Sequence, residues 1–154
     1  MAANKILVPY NFTANDEKAI DLVIQNFSQH PDTRVTLFHV YLPVPNIEVS
    51  DKTVMSRISG NLSYLRQKIN DLEAGIVKAR DRLIDAGFPK EKVNYTFKPQ
   101  DRDAAQEIID QAISGEYTGI VLNRSPASIR KFFTPSVSKR VVKALQHLEL
   151  YMVG

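Results

Sequence analysis

Short apolar runs alternate with longer amphipathic segments along this chain. Five runs have the length and the β-branched content of strands buried in a sheet. They lie at residues 5–9, 34–40, 92–98, 119–123 and 148–153. Between them, apolar residues recur every three or four positions, which predicts helices over 14–29, 51–86, a segment that ends at Gly115, and 136–146. This alternation of strand and helix predicts an α/β fold, with a parallel sheet and helices on both faces.

Residues that stop strands or cap helices lie at the ends of these segments. Pro9 ends the first strand, because proline cannot donate a hydrogen bond to a neighbouring strand. Thr13 or Asn15 caps the first helix, and Asp101 or Asp103 caps the third. The run at 92–98 alternates apolar with polar residues, which is typical of a strand at the edge of a sheet.

The helix predicted over 51–86 carries a heptad pattern. Its apolar residues are spaced 4, 3, 4, 3 and 4 apart, at Ile58, Leu62, Leu65, Ile69, Leu72 and Ile76. The simpler interpretation is that this seam lies along the protein's own sheet. The alternative is that the N-terminal part of the helix projects and packs on another subunit. Gly60 leaves open whether the helix is continuous.

Length and composition narrow the class of protein. The 154 residues suffice for one domain with a core, so a single domain over 1–154 is expected. The absence of cysteine excludes disulfides and Cys-ligated metals, and it fits a reducing cytoplasm. No stretch approaches the about 18 consecutive apolar residues of a membrane span, and no signal peptide is expected. A net charge of +3 is too small to argue for nucleic-acid binding.

The segment after the fourth strand is the main candidate for ligand binding. A loop that leaves a parallel strand and feeds a helix N-terminus is where α/β proteins hold anions. Ser136 and Ser138 would then bind a phosphate, although either serine also suits a helix cap. The loop is basic, and it places Phe132 and Phe133 where a ring would stack on a base, plug the crevice or pack on the helix that follows.

Motifs of catalysis are missing from the sequence. It contains no P-loop, no G-x-S-x-G and no H-E-x-x-H, so neither an enzyme nor a metal site is expected. His39 lies inside a strand pattern near its carboxyl end, and a hydrogen-bonded core histidine is the favoured interpretation.

Several of these segments, taken in order, resemble the universal stress protein family. The opening from Lys5 to Thr13 is similar to that family's K-I-L-V-P-x-D-x-S, and residues 98–109 resemble its G-x-P-x-x-x-I passage. Residues 117–142 resemble its signature region, D-L-I-V-M-G-x-x-G followed by G-S-[VT]-x-x-x-V. Residues 148–153 stand where the family has its final strand.

The resemblance implies a flavodoxin-like, three-layer α/β/α fold with five parallel strands in the order 3-2-1-4-5. It also implies a homodimer, commonly made through the last strand. Some family members bind ATP between the first and fourth strands, and those members carry G-x2-G-x9-G-[ST] after the fourth strand.

The present chain departs from that ATP-binding pattern at every glycine. With Pro135-Ser136 aligned on the last G-[ST], Ser125 takes the middle glycine and Leu122 or Asn123 takes the first. Glycines allow positive φ and close approach of the backbone to phosphate, whereas proline has no N–H to offer. Asn11 replaces the aspartate of the family's first loop, so a negative charge is lost.

The sequence therefore predicts a cytoplasmic, non-enzymatic regulatory or stress-response homodimer that binds ATP weakly or not at all. It would contact itself through the last strand, with the heptad-patterned helix as a second candidate surface, and it would act on a protein partner that the sequence does not identify. The alternative is a sensor that binds ATP or AMP through a variant loop. Its candidate contacts are Pro9, Asn11, Val40, Asn123, Arg124, Ser125, Ser136, Val137 and Ser138. Slow ATP hydrolysis is least favoured, because Asn11 replaces the one acidic candidate.

Overall fold

The computed structural model describes residues 4–30, 32–43, 52–123 and 135–153, without the side chains of 52–59, 123 and 135–138. Five strands and four α-helices alternate along it, as the sequence predicts. They are β1 (Lys5–Pro9), α1 (Ala14–Phe27), β2 (Arg34–Tyr41), α2 (Lys52–Asp85), β3 (Val93–Pro99), α3 (Ala104–Ser114), β4 (Gly119–Asn123), α4 (Pro135–Ala144) and β5 (Glu149–Val153).

The strands form one parallel sheet in the order β3-β2-β1-β4-β5. The expected 3-2-1-4-5 order is therefore confirmed. One core cluster joins the sheet to α1 and α2 through residues such as Ile20 and Leu83, and a second joins it to α3 and α4 through Ile108 and Leu145. The direction of winding reverses between β1 and β4, and in open α/β sheets ligands bind near such a point, at the carboxyl ends of the strands.

Several boundaries differ from those predicted by a few residues. A turn of 3-10 helix at Lys90–Lys92 delays β3 to Val93, and pairing with Tyr41 extends it to Pro99. The first helix ends at Phe27 rather than residue 29, and the last runs from Pro135 to Ala144 rather than over 136–146. β3 lies at the edge of the sheet and its side chains are mostly half-buried, which confirms the prediction from alternation.

Local hydrogen bonds decide between the alternative caps. Thr13, not Asn15, caps α1: its hydroxyl accepts from the Asp16 N–H at 3.3 Å, while the Asp16 carboxylate accepts from the Thr13 N–H at 2.9 Å. Asp103, not Asp101, caps α3, because its carboxylate accepts from the Gln106 N–H at 2.9 Å.

Helix α2 is much longer than the sheet that it covers. Its 34 residues span about 51 Å at ~1.5 Å per residue, against about 26 Å for the 8 residues of β2 at ~3.3 Å. The helix continues through Gly60 without a break. It ends beside the start of β3, so its N-terminal half extends past the carboxyl edge of the sheet.

The heptad seam on α2 is therefore only partly covered. Ile76 and Leu83 are fully buried, whereas Leu65 is 37% exposed and Leu62 and Leu72 are half-buried. The interpretation that the whole seam lies on the protein's own sheet is wrong for the part from Leu62 to Leu72. Packing of that part on another subunit stays a prediction. Across the described ranges, no helix is both long enough and apolar enough to cross a membrane.

Candidate functional site

A crevice lies at the carboxyl ends of β1 and β2, beneath the first turns of α3. Its described lining consists of Pro9, Asn11, Phe38, His39, Val40, Ala104 and Ile108. This is the edge of an open α/β sheet at which ligands bind, and the lining is mainly apolar with a few polar groups.

The backbone of Val40 faces this crevice. The Phe38 carbonyl accepts from the Tyr10 N–H at 2.8 Å, whereas the Tyr41 carbonyl accepts from the Gln100 N–H at 2.7 Å on the opposite side. Since backbone groups of a strand point alternately to its two neighbours, the N–H and C=O of Val40 point to the same side as those of Phe38. β1 ends at Pro9, so these groups point beyond it, towards Asn11.

A buried carboxylate holds the β1–α1 loop. Asp16 is 1% exposed, and its Oδ2 accepts from the Asn11 N–H, the Thr13 N–H and the Thr13 hydroxyl, each at 2.9 Å. Burial raises the pKa of the Asp16 carboxyl, and the hydrogen bonds from Thr13 and Asn11 oppose that rise. The position of Asn11 in the crevice is thus set by a residue that the sequence analysis did not single out.

Phe12, between those two donors, adopts a left-handed backbone conformation with a φ of 64°. Its ring makes edge contacts with Tyr10 and His39, each with ring centroids 5.0 Å apart. It also rests on α2 at Gly75, where an added Cβ would lie 2.9 Å from Phe12 Cε1. Sequence reasoning missed this contact, because the two residues belong to separate elements and neither carries a polar group.

Tyr10 ties the same loop to the helices. Its hydroxyl donates to Glu17 Oε1 at 2.9 Å, and Arg82 of α2 pairs with Glu17 and with Asp21. Burial raises the pKa of Tyr10, and the hydrogen bond to Glu17 adds to the rise, so the phenol stays protonated at neutral pH.

His39 is a hydrogen-bonded core residue, as expected. It is 8% exposed, its Nδ1 lies 2.8 Å from the Tyr10 carbonyl oxygen, and its ring stacks on Phe97 at a centroid distance of 5.7 Å. Because a carbonyl only accepts, Nδ1 carries the proton in this contact.

Cations on the α3 side are paired with acids. Lys98 Nζ lies 3.7 Å from Oε1 of buried Glu107, whose other oxygen accepts from the Asp101 N–H at 2.9 Å. Arg140 donates to Asp103 at 3.0 Å, at the start of α3. These pairs neutralise charge next to the crevice.

The structure brings together three of the predicted ligand contacts, Pro9, Asn11 and Val40. Asn123 ends β4 beside Val153, and Ser136, Val137 and Ser138 lie in the first turn of α4, with side chains outside the description. Arg124, Ser125, Phe132 and Phe133 lie outside the described residues. The sequence analysis did not predict that Ala104 and Ile108 line the crevice, because apolar residues at helical spacing in α3 indicate packing in the core.

Similarity to known proteins indicates the family to which this chain belongs. The model of the universal stress protein family matches residues 3–147. The chain belongs to the universal stress protein family. No protein of curated function matches the sequence.

Solved structures with this fold include universal stress proteins that hold nucleotides. The universal stress protein of Archaeoglobus fulgidus in complex with dAMP has a TM-score of 0.63 at 11% identity, covering 100% of both chains. A family protein of Arabidopsis thaliana with AMP bound has a TM-score of 0.61 at 16% identity, over 97% of this chain and 90% of that one. A universal stress protein in complex with cAMP has a TM-score of 0.62 at 15% identity, over 100% of this chain and 98% of that one. Likeness at these identities shows the shared flavodoxin-like fold.

Proposed function

We propose that this universal stress protein is a non-enzymatic regulatory homodimer of the cytoplasm that binds ATP weakly or not at all. The observation that carries the proposal is the chemistry of the crevice. Its described lining is apolar apart from Asn11, His39 and the backbone, and it includes no lysine and no arginine. A triphosphate carries several negative charges, and the described part of the lining offers them no opposing charge.

The start of α4 supports the same proposal. Pro135 is the first residue of the helix, a position that suits proline because its missing N–H would have no partner within the helix. The same missing N–H removes one of the donors that a helix N-terminus offers to phosphate. The sequence of 123–135 contains no glycine that would let the backbone approach a phosphate closely.

The alternative is a sensor of adenine nucleotides that relies on the nucleoside rather than on the phosphates. It is favoured by the Val40 N–H and C=O, which match the donor and acceptor edge of a purine, and by the neighbouring Asn11 amide. Proteins of the same fold have been solved with AMP, dAMP and cAMP, each of which has one phosphate.

Hydrolysis is not part of the proposal. Enzymes that transfer phosphoryl groups hold Mg²⁺ through carboxylates, and the first loop carries Asn11 where the family pattern has an aspartate. A partner protein rather than a substrate would receive the signal, with no role for nucleic acid or membrane.

Calorimetric titration with ATP and Mg²⁺, and separately with AMP, tests both candidates. We expect a dissociation constant for ATP above about 1 mM, equivalent to about −4 kcal/mol or weaker. Micromolar ATP binding would overturn the proposal. Micromolar AMP binding with millimolar ATP binding would establish the sensor alternative, and the Asn11→Ala variant should then bind AMP more weakly. The absence of heat with either nucleotide would exclude the sensor.

A further inference from the structure

Phe12 contacts α2 while its own backbone adopts an unfavourable conformation beside the crevice. Phe12 has a φ of 64°, and a left-handed backbone is sterically costly for a residue with a Cβ. Such conformations persist only where the surroundings enforce them, and they concentrate at functional positions.

Three sets of contacts enforce it. The Asp16 carboxylate accepts the N–H groups on both sides of Phe12, from Asn11 and Thr13. The rings of Tyr10 and His39 enclose the Phe12 ring through edge contacts. Helix α2 adds a contact at a residue without a side chain, where an added Cβ would meet Phe12 Cε1 at 2.9 Å and Cδ1 at 3.2 Å.

We propose that Gly75 of α2 is a positioning residue for the crevice: by receiving the Phe12 ring, it keeps the β1–α1 loop in the conformation that places Asn11 in the lining. The proposal concerns the loop itself, and it rests on the proposed nucleotide sensor only where ligand affinity is concerned.

Gly75 lies at the boundary between the buried part and the projecting part of α2. Ile76, the next residue, is fully buried, whereas Leu72 on the preceding turn is half-buried. Gly75 therefore lies where α2 leaves the sheet. A partner that shifts the projecting half of the helix would displace the Phe12 ring first, and Asn11 through it. By linkage, a ligand that fixes Asn11 would favour one position of the helix.

A pair of identical substitutions on one helix tests the proposal. Gly75→Ala introduces a methyl that cannot fit without movement of Phe12, whereas Gly60→Ala introduces the same methyl where no atom of the described residues lies within 4 Å. Both substitutions give α2 the same gain in helix propensity. The difference between the two variants therefore isolates the contact with Phe12.

The measurement is amide hydrogen exchange at Asn11 and Thr13, the donors to Asp16. In Gly75→Ala these amides should exchange about tenfold faster or more than in the wild type, and in Gly60→Ala they should be unchanged. Equal exchange in the two variants would overturn the proposal.

Replacing the ring of Phe12 by a smaller side chain tests whether the two residues act through the same contact. Phe12→Leu alone should also speed exchange at Asn11 and Thr13, and adding Gly75→Ala to it should produce no further increase, because Cε1, the ring atom nearest to the added Cβ, is gone. An additive effect would contradict the proposal, and so would unchanged exchange in Phe12→Leu. A purely structural defect of the helix would be additive. These outcomes stand even if Gly75→Ala alone does not fold.

Titration with AMP separates this inference from the proposed sensor. If the wild type binds AMP, Gly75→Ala should weaken binding about tenfold relative to Gly60→Ala, in line with the loss of loop order. Equal affinities would refute a role in ligand binding. If the wild type does not bind AMP, the sensor fails, and the exchange experiment alone decides the positioning of Asn11.

Discussion

The two halves of α2 carry one continuous heptad pattern and meet different surroundings. In the C-terminal half, Ile76, Ala79 and Leu83 are buried against the sheet. In the N-terminal half, Leu65 is 37% exposed and Tyr64 is 68% exposed. Hydrophobic periodicity states which face of a helix is apolar, but the length of the sheet decides how much of that face is covered.

The comparison bears on function, because the projecting half rises from the edge of the sheet that also holds the crevice. A helix that packed on the sheet along its full length would contribute only to the hydrophobic core. This helix offers an apolar seam beyond the sheet, and at Gly75, where it leaves the sheet, it contacts the crevice loop.

The largest expected effect comes from matched leucine substitutions in the two halves. Leu83→Ala should lower the free energy of unfolding by about 2–5 kcal/mol, because it leaves a cavity in a fully buried site. In the monomer, Leu65→Ala should change the free energy of unfolding by less than about 0.5 kcal/mol. Urea denaturation at low protein concentration measures both. Equal losses would mean that the seam is buried along its whole length in solution.

A second pair of variants distinguishes the two candidate surfaces of the proposed dimer, the β5 edge and the projecting half of α2. Glu149 donates its N–H to Thr118 on the β4 side at 3.0 Å, so the N–H of Met152 points away from the sheet. Met152→Pro should abolish strand pairing across that edge and halve the molar mass in light scattering, whereas the control Met152→Ala should remain dimeric. Leu65→Lys should also remain dimeric. If instead only Leu65→Lys is monomeric, the projecting half of α2 is the interface.

The smallest effect concerns charge on the helix. Arg82 pairs with Glu17 and Asp21, and all three side chains are 41–54% exposed. Arg82→Met should therefore cost about 0.2–1 kcal/mol per pair at low ionic strength, and the loss should vanish near about 1 M salt. Arg66→Met, on the projecting half, should cost nothing measurable, since none of the ion pairs between described residues involves Arg66. A loss that persists in high salt would indicate lost packing by the Arg82 stem instead.

Much of the fold was predictable, because it depends on local patterns. The alternation of apolar runs and amphipathic segments located the five strands and four α-helices of the described residues, although not the 3-10 turn at Lys90–Lys92, and the resemblance supplied the strand order. Of the site, Pro9, Asn11 and Val40 were predicted, since the ends of parallel strands meet at one edge of a sheet. The roles of Phe12 and Gly75 were not, because their contact joins two distant parts of the chain. Asp16 was also missed, although its partners Asn11 and Thr13 are close to it in sequence.

The sequence by itself determined the order of the elements, the membership in a family and the loss of the glycine pattern, since each can be read along a single stretch of chain. Only the tertiary structure decided which half of the seam on α2 is covered and that the ring of Phe12 rests on Gly75. Periodicity and propensity are properties of neighbours in sequence, whereas burial and steric fit depend on what the rest of the fold brings alongside.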